Sequence, residues 1–348
     1  MKDCAMRLFL AFVSFTALIP LSTLHAQTTV FSDNFNRANL VSGAPTTYTT
    51  TITTGDGGAL IPSGTFLQLT NDFTANPNAS GRVSLSGLTS SYGAGYNPTL
   101  GSNAGASQVV EWTTNVKYNG LTNLNGFGGG NFAVAIVLAS NRSDFTAADA
   151  QGYALAMSNT GTPDPIRLVK FTGGLTANAN ITDIVNPGVA NMSSVNNFAS
   201  ARVQFNAGTG NWSLFVRDDG ASAWGDPTTV TNQIGTATND TTFTNISLAN
   251  FGFYFGHGGT AANQTVDFDN YSVTVAPVPE PATILVVSGL SFCAIGCVRR
   301  CRKRIWQIFT AAVLRSRYQG TIRAMRVPQW PNQPHTKRCC HPRRRRKG

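Results

Sequence analysis

Val203-Gln204-Phe205-Asn206-Ala207-Gly208-Thr209-Gly210-Asn211-Trp212-Ser213-Leu214-Phe215-Val216 decides the fold class. Val203 and Phe205 share one parity ahead of the Ala207–Gly210 loop, and Trp212, Leu214 and Val216 share one after it. Two runs with the two-residue period of a β-strand, joined by a short glycine-containing loop, predict an antiparallel hairpin. The same period recurs outward from it. Phe132, Val134, Ile136 and Leu138 line one face of a strand, and Tyr153, Leu155 and Met157 one face of the next. Phe251, Phe253 and Phe255 alternate with Gly252, Tyr254 and Gly256. Val266 and Phe268 hold one parity, while Tyr271, Val273 and Val275 hold the other. A strand that changes parity needs an extra residue, so a β-bulge is expected near Asp269-Asn270. The pattern predicts an all-β, antiparallel β-sandwich of the jelly-roll kind, with roughly twelve strands and turn-rich spacers. The one helix expected in it is short, Thr146–Gln151.

Composition divides the 348-residue chain. Residues 299–348 hold 16 of the 26 Lys and Arg and none of the Asp or Glu, so residues 1–298 carry ten basic against 16 acidic groups, a net charge of −6. The sequence pI near 9.6 therefore belongs to the tail, and the body gives no reason to expect a nucleic-acid partner. All six cysteines (Cys4, Cys293, Cys297, Cys301, Cys339, Cys340) lie outside residues 27–281. The body thus has neither a disulfide framework nor a cysteine nucleophile, and its core alone must hold it.

Lys2 and Arg7 precede the apolar stretch Leu8–Leu21, and Leu24-His25-Ala26 offers a cleavage site before Gln27. Residues 1–26 read as a secretory signal peptide. At the other end, Val278-Pro279-Glu280-Pro281 abuts the apolar run 282–298, and Arg299, Arg300, Arg302, Lys303 and Arg304 follow. A helix over that run would be about 25 Å long, slightly short of a hydrocarbon core of ~30 Å. The basic cluster would hold its end on the cytoplasmic side. The order of tripeptide, short apolar helix and basic cluster resembles the PEP-CTERM sorting signal of Gram-negative bacteria. The resemblance implies an exosortase as processing partner, a membrane-held intermediate, and delivery to the outer surface. Residues 305–348 depart from that pattern, and a basic, unstructured tail is the expectation for them.

Within the body, Phe31-Ser32-Asp33-Asn34-Phe35, residues 152–157 and 166–171, Asn211-Trp212-Ser213-Leu214 and residues 266–271 resemble, in order, segments of the concanavalin A-like (laminin G-like) jelly roll of lectins and secreted glycosidases. The resemblance implies that the first and last strands pair, bringing Asp33-Asn34 near Asp269-Asn270.

Candidate chemistry is sparse. A glycosidase needs two carboxyl groups about the scissile bond, and the body offers one glutamate, Glu111, read as a solvated strand position beside a packed Trp112. His257 reads as a loop residue after a strand. Calcium takes six to eight oxygen ligands, and the candidate ligands are Asp33 with Asp267 and Asp269, or separately Asp218, Asp219 and Asp226. Asp and Asn also favour turns for their own hydrogen bonding, and Arg217-Asp218-Asp219-Gly220 reads as a hairpin turn. Tyr92, Tyr96, Trp224 and Tyr254 are the candidate sugar-stacking aromatics. The expected organisation is signal peptide 1–26, β-sandwich 27–277, sorting signal 278–304 with transmembrane helix 282–298, and tail 305–348. The expected role is an exported, surface-sorted, non-catalytic protein of the extracellular matrix that binds polysaccharide or mediates adhesion. The alternative is a secreted polysaccharide-active enzyme of the same fold.

Overall fold

The computed structural model describes residues 27–72, 80–106, 108–121, 123–157, 165–188, 190–258 and 263–277, all within the first of two compact units, Met1–Glu280. The signal-peptide, sorting-signal and tail readings lie outside these residues. No helix among them is long and apolar enough to cross a membrane.

Alternation of apolar and polar residues marks many of the strands, while Ala133–Ser140, buried on both faces, is an almost continuous apolar run. In chain order the strands are β1 Thr28–Asp33, β2 Thr49–Thr53, β3 Gly58–Leu60, β4 Leu67–Thr70 and β5 Gly81–Leu88. Next come β6 Gln108–Asn119, β7 Ala133–Ser140, β8 Gln151–Met157, β9 Ile166–Thr172 and β10 Ile181–Val185. The last are β11 Phe198–Asn206, β12 Asn211–Gly220, β13 Gln233–Asn239, β14 Asn250–His257 and β15 Thr265–Pro277. Pieces as short as β3 carry no alternation to read, which is why the count exceeds twelve. They form two antiparallel sheets. Sheet A runs β13-β12-β11-β6-β15-β4-β3 with β1 also on β15, and sheet B runs β10-β9-β8-β7-β14-β5-β2.

The expected hairpin is β11–β12, with Val203 opposite Leu214 and Phe205 opposite Trp212. The expected bulge is present too: the β15–β6 register shifts between Asp269 and Ser272, and Asn270 takes a positive φ of 50°. At that point β15 changes its other neighbour, from β4 over Thr265–Phe268 to β1 over Tyr271–Val275. First and last strands therefore pair, with Asp33 opposite Tyr271.

Between the sheets lies a core rich in aromatics. Trp212 of sheet A stacks on Trp112 with centroids 5.8 Å apart, and its ring lies 4.5 Å from both Phe205 and Tyr153 of sheet B. Its Nε1 donates to the Asp240 carbonyl at 2.9 Å. Sheet B is buried on its other face as well. There Ala133, Ala135, Ala154, Ala156 and Tyr254 pack under Phe127, Phe145 and Leu175 from loops. The small alanines leave room for that loop layer, whose Leu175 N–H donates to the Phe145 carbonyl at 2.8 Å.

The short helix expected at Thr146–Gln151 is absent. Asp144 Oδ1 accepts from both the N–H and the hydroxyl of Thr146, and the Ala150 N–H bonds the Ala147 carbonyl, so the segment is a pair of turns. Asp at such a position offers the backbone an alternative to helical bonding.

Removing the Trp212 ring deletes contacts to both sheets at once. Trp212→Ala is expected to destabilise the chain by about 3–5 kcal/mol, the usual cost of truncating a buried aromatic. Chemical denaturation measures it, and a loss below ~1 kcal/mol would mean that the tryptophan stack does not join the layers.

Candidate functional site

The two faces of sheet A differ in kind. On β6, Val110, Trp112, Val116 and Tyr118 enter the core, so Glu111, Thr113, Asn115, Lys117 and Asn119 face outward. On β11, Ala199, Ala201, Val203 and Phe205 point in, leaving Ser200, Arg202 and Gln204 on the outer face. After the bulge, β15 adds Ser272 and Thr274 to that face. Pairing brings Thr113 opposite both Arg202 and Ser272, and Asn115 opposite both Ser200 and Asp269.

The segment 221–230 is strapped onto this face by hydrogen bonds. Asn115 Nδ2 donates to the Gly225 carbonyl at 3.1 Å, and Ser200 Oγ to the same oxygen at 3.2 Å. Arg202 Nε donates to the Val230 carbonyl at 2.8 Å, and Arg217 to the Asp226 carbonyl at 3.1 Å. Asp219 holds Arg217 through a 2.5 Å ion pair and accepts the Gly225 N–H at 2.9 Å. Trp224 anchors the strap edge-on against Phe198 and Phe66, at centroid distances of 5.1 and 5.8 Å, and remains partly exposed.

Between strap and sheet is a cavity of about 320 Å³, lined by Thr29, Ser32, Thr113, Asn270 and Ser272 on the strands and by Asp226, Pro227 and Thr228 on the strap. Apart from Pro227, every lining side chain carries a hydroxyl, amide or carboxylate. Thr113 forms part of the floor. It is only 3% exposed, and its Oγ1 has no hydrogen-bond partner. A buried hydroxyl left unpaired costs about 1–3 kcal/mol, which a ligand hydroxyl would recover. Asp226 Oδ1 accepts from the Thr228 N–H and hydroxyl at 2.9 and 2.7 Å; these bonds draw its pKa below the usual carboxylate value, and it stays charged at the rim.

The residues singled out in the sequence fall in several places. Glu111 is buried, not solvated. Its Oε1 accepts from Gln27 at 2.9 Å, and its Oε2 from Arg202 at 3.0 Å and Gln204 at 2.7 Å. The neighbouring Trp112 is packed as expected. His257 is the last residue of β14 and 1% exposed, not a loop residue. Arg217–Gly220 is the end of β12 and not a turn. Tyr92 and Tyr96 lie in the core, and Tyr254 is buried under the loop layer with its hydroxyl donating to the Leu175 carbonyl at 2.7 Å. Of the four candidate aromatics, Trp224 alone keeps an exposed surface.

Asp33, Asp267 and Asp269 do not form a ligand set. Asp33 follows the inward parity of Phe31. Its Oδ1 accepts from Arg37 at 2.5 Å and its Oδ2 from Tyr48 at 2.8 Å. Asp267 faces outward and is held by Gln68 at 2.8 Å and by Asn119. Asp218 instead accepts from Ser193 and Asn197, apart from Asp219 and Asp226. Among the described residues no three His, Cys, Asp or Glu side chains are placed to hold a metal ion.

No protein-family model matches the chain, and no curated protein sequence matches it. Solved structures similar to it include basic winged bean lectin with Tn-antigen, at 12% identity and a TM-score of 0.42 over 72% of this chain and 99% of that one. Lectin II from Ulex europaeus has 13% identity and a TM-score of 0.40 over 72% and 100%. Peanut lectin with a nine-residue peptide has 15% identity and a TM-score of 0.39 over 73% and 100%. At these identities and scores the likeness carries no function across, so the site must be read from its own residues.

Asp269 borders the cavity through Asn270. Burial raises its pKa to about 6, and the nearby Asp33 charge adds to the shift. A carboxyl raised in the folded state keeps a proton that the unfolded chain has already lost. Its contribution to stability is therefore full below about pH 4 and is lost as pH rises through about 6. Asp269→Asn is expected to melt with the parent at pH 4 and above it at pH 7.5, by roughly 1 kcal/mol once solvent screening of this partly open group is allowed for. Equal melting at both pH values would remove Asp269 as a source of pH dependence.

Proposed function

We propose that the body is a non-catalytic polysaccharide-binding module whose site is the cavity beneath the 221–230 strap. The observation that carries this is the buried, unpaired Thr113 hydroxyl in the floor of a cavity of about 320 Å³ lined by hydroxyls and amides. The volume lies at the lower end of the ~300–1,000 Å³ typical of small-ligand sites. Sugars present the complementary hydroxyls, and Trp224, two residues before Asp226, offers a partly exposed aromatic edge on the same strap. The state of Glu111 also favours binding over hydrolysis. Both of its oxygens are engaged, so neither is open to transfer a proton or attack a sugar.

The full chain, applied to a glycan array and a panel of soluble polysaccharides, is expected to bind without shortening any of them. Trp224→Ala should weaken binding about tenfold, equivalent to ~1.4 kcal/mol. Thr113→Val removes the unpaired hydroxyl at constant shape. It should weaken binding to a similar degree while leaving the melting temperature unchanged or raised, because an apolar group there has no bond to lose. Binding that ignores both variants, or release of reducing ends, would overturn the reading.

The same proposal takes the chain to be exported and delivered to the cell surface or matrix of a Gram-negative bacterium, with Val278–Pro281 as the segment an exosortase recognises. Proline keeps such a segment extended and open to a protease. Replacing Pro279, Glu280 and Pro281 with alanine should leave export intact and hold the protein in the inner membrane, full length but for the signal peptide. Normal maturation of that variant would leave 282–298 as a plain anchor.

A further inference from the structure

A second cavity lies on sheet B, far smaller and of different chemistry. Its volume is about 40 Å³, and its lining includes Arg82, Tyr254 and six glycines. Arg82, the second residue of β5, shares the outward parity of Ser84 and Ser86, since Val83 and Leu85 enter the core. It donates to the Thr176 carbonyl at 3.3 Å and lies beside the Tyr254 hydroxyl. The other cations of the described residues are accounted for. Arg37, Arg142, Arg167, Lys170, Arg202 and Arg217 are ion-paired, and Lys117 sits 4.1 Å from the centre of the Phe198 ring. Among the described residues Arg82 alone has neither a carboxylate nor a ring.

The glycines contribute backbone. Gly81 is required by close approach, because a Cβ would meet the Thr54 carbonyl oxygen at 2.1 Å, and Gly126 is called for by its φ of +124°. At Gly129 a Cβ would meet nothing within 4 Å, so packing does not demand glycine there, whereas Gly130, equally open, is called for by its φ of +78°. No hydrogen bond engages the N–H of either among the described residues. A guanidinium beside backbone N–H groups that bond no other described residue is the chemistry that anion-binding concavities use. Arginine's planar fork suits a carboxylate in two parallel bonds.

We propose that this cradle binds a single oxyanion, the carboxylate of a uronic-acid unit. A cavity of about 40 Å³ admits one such group and not a whole sugar ring. The oxyanion site stands on the Arg82 geometry; the choice of a uronate as its source rests on the polysaccharide reading above. A sulfate ester offers the same chemistry, and the test separates the two.

The full chain is titrated with polyglucuronate and with a neutral polysaccharide it binds, at constant ionic strength, with sodium glucuronate and sodium sulfate as competitors. Arg82→Gln should lower affinity for polyglucuronate at least tenfold and leave neutral binding unchanged, and Arg82→Lys should recover little of it. Gly129→Asp, whose side chain has room to fold, should do the same by placing a like charge at the mouth. Thr113→Val should weaken neutral binding, so failure of the strap site and failure of this one read out separately. Competition by glucuronate supports the proposal, and competition by sulfate alone overturns the uronate assignment. Polyglucuronate binding indifferent to Arg82→Gln and Gly129→Asp, or loss of neutral binding in equal measure, overturns the site itself.

Discussion

One extra residue in β15 sets the relation between the core and the outer face of sheet A. Up to Phe268 the strand sends even-numbered residues inward; from Tyr271 it sends odd ones. Tyr271 then stacks flat on Phe251 of sheet B, with centroids 5.3 Å apart and planes 6° from parallel, and packs edge-on against Phe31 of β1. Without the bulge, Tyr271, Val273 and Val275 would face solvent and Ser272 and Thr274 would enter the core, an inversion that a one-residue slip in register always produces. The aromatic stack and the bulge therefore require each other. Asn270 bears the local strain at φ 50°, a conformation asparagine tolerates better than most residues.

The same bulge shapes the cavity. It is where β15 exchanges β4 for β1, so Asn270 and Ser272 come to lie beside Ser32 and Thr113. The strap closes the other side through bonds from Asn115, Ser200, Arg202 and Arg217. These outward polar groups are paired with one another or with strap carbonyls, as partly buried polar groups must be. Thr113 Oγ1 is the exception, and Thr113 lines the cavity.

The long strands and the bulge are legible in the sequence because both are local. Period-two alternation at 203–216 and 251–255 and the parity change at 268–271 need no knowledge of partners. The cavity was not legible, since it joins Thr29, Thr113, Asp226 and Ser272, which meet only through long-range pairing. Glu111 was misjudged for the same reason: its ion-pair partner Arg202 is 91 residues away. Asp218-Asp219-Gly220 carries a turn signal, yet β12 runs through it because Ala199 and Ser200 of β11 pair with Asp218 and Arg217. Tyr92, Tyr96 and Tyr254 sit in glycine-rich sequence that suggested exposure. Beside Tyr254 the glycine instead makes room for the ring: a Cβ on Gly256 would lie 2.8 Å from the Tyr254 hydroxyl. Of the candidate aromatics only Trp224 is left partly exposed.

The central claim is that polysaccharide is held at the strap cavity of sheet A. Hydrogen–deuterium exchange on the full chain, with and without a polysaccharide it binds, tests this most directly. The account predicts slowed exchange at the amides of residues 224–226, 228–230 and 270–272, with the core amides of β7 and β14 unchanged. Saturating ligand that leaves the strap and the bulge exchanging at their free rates, while protecting some other face, would contradict it.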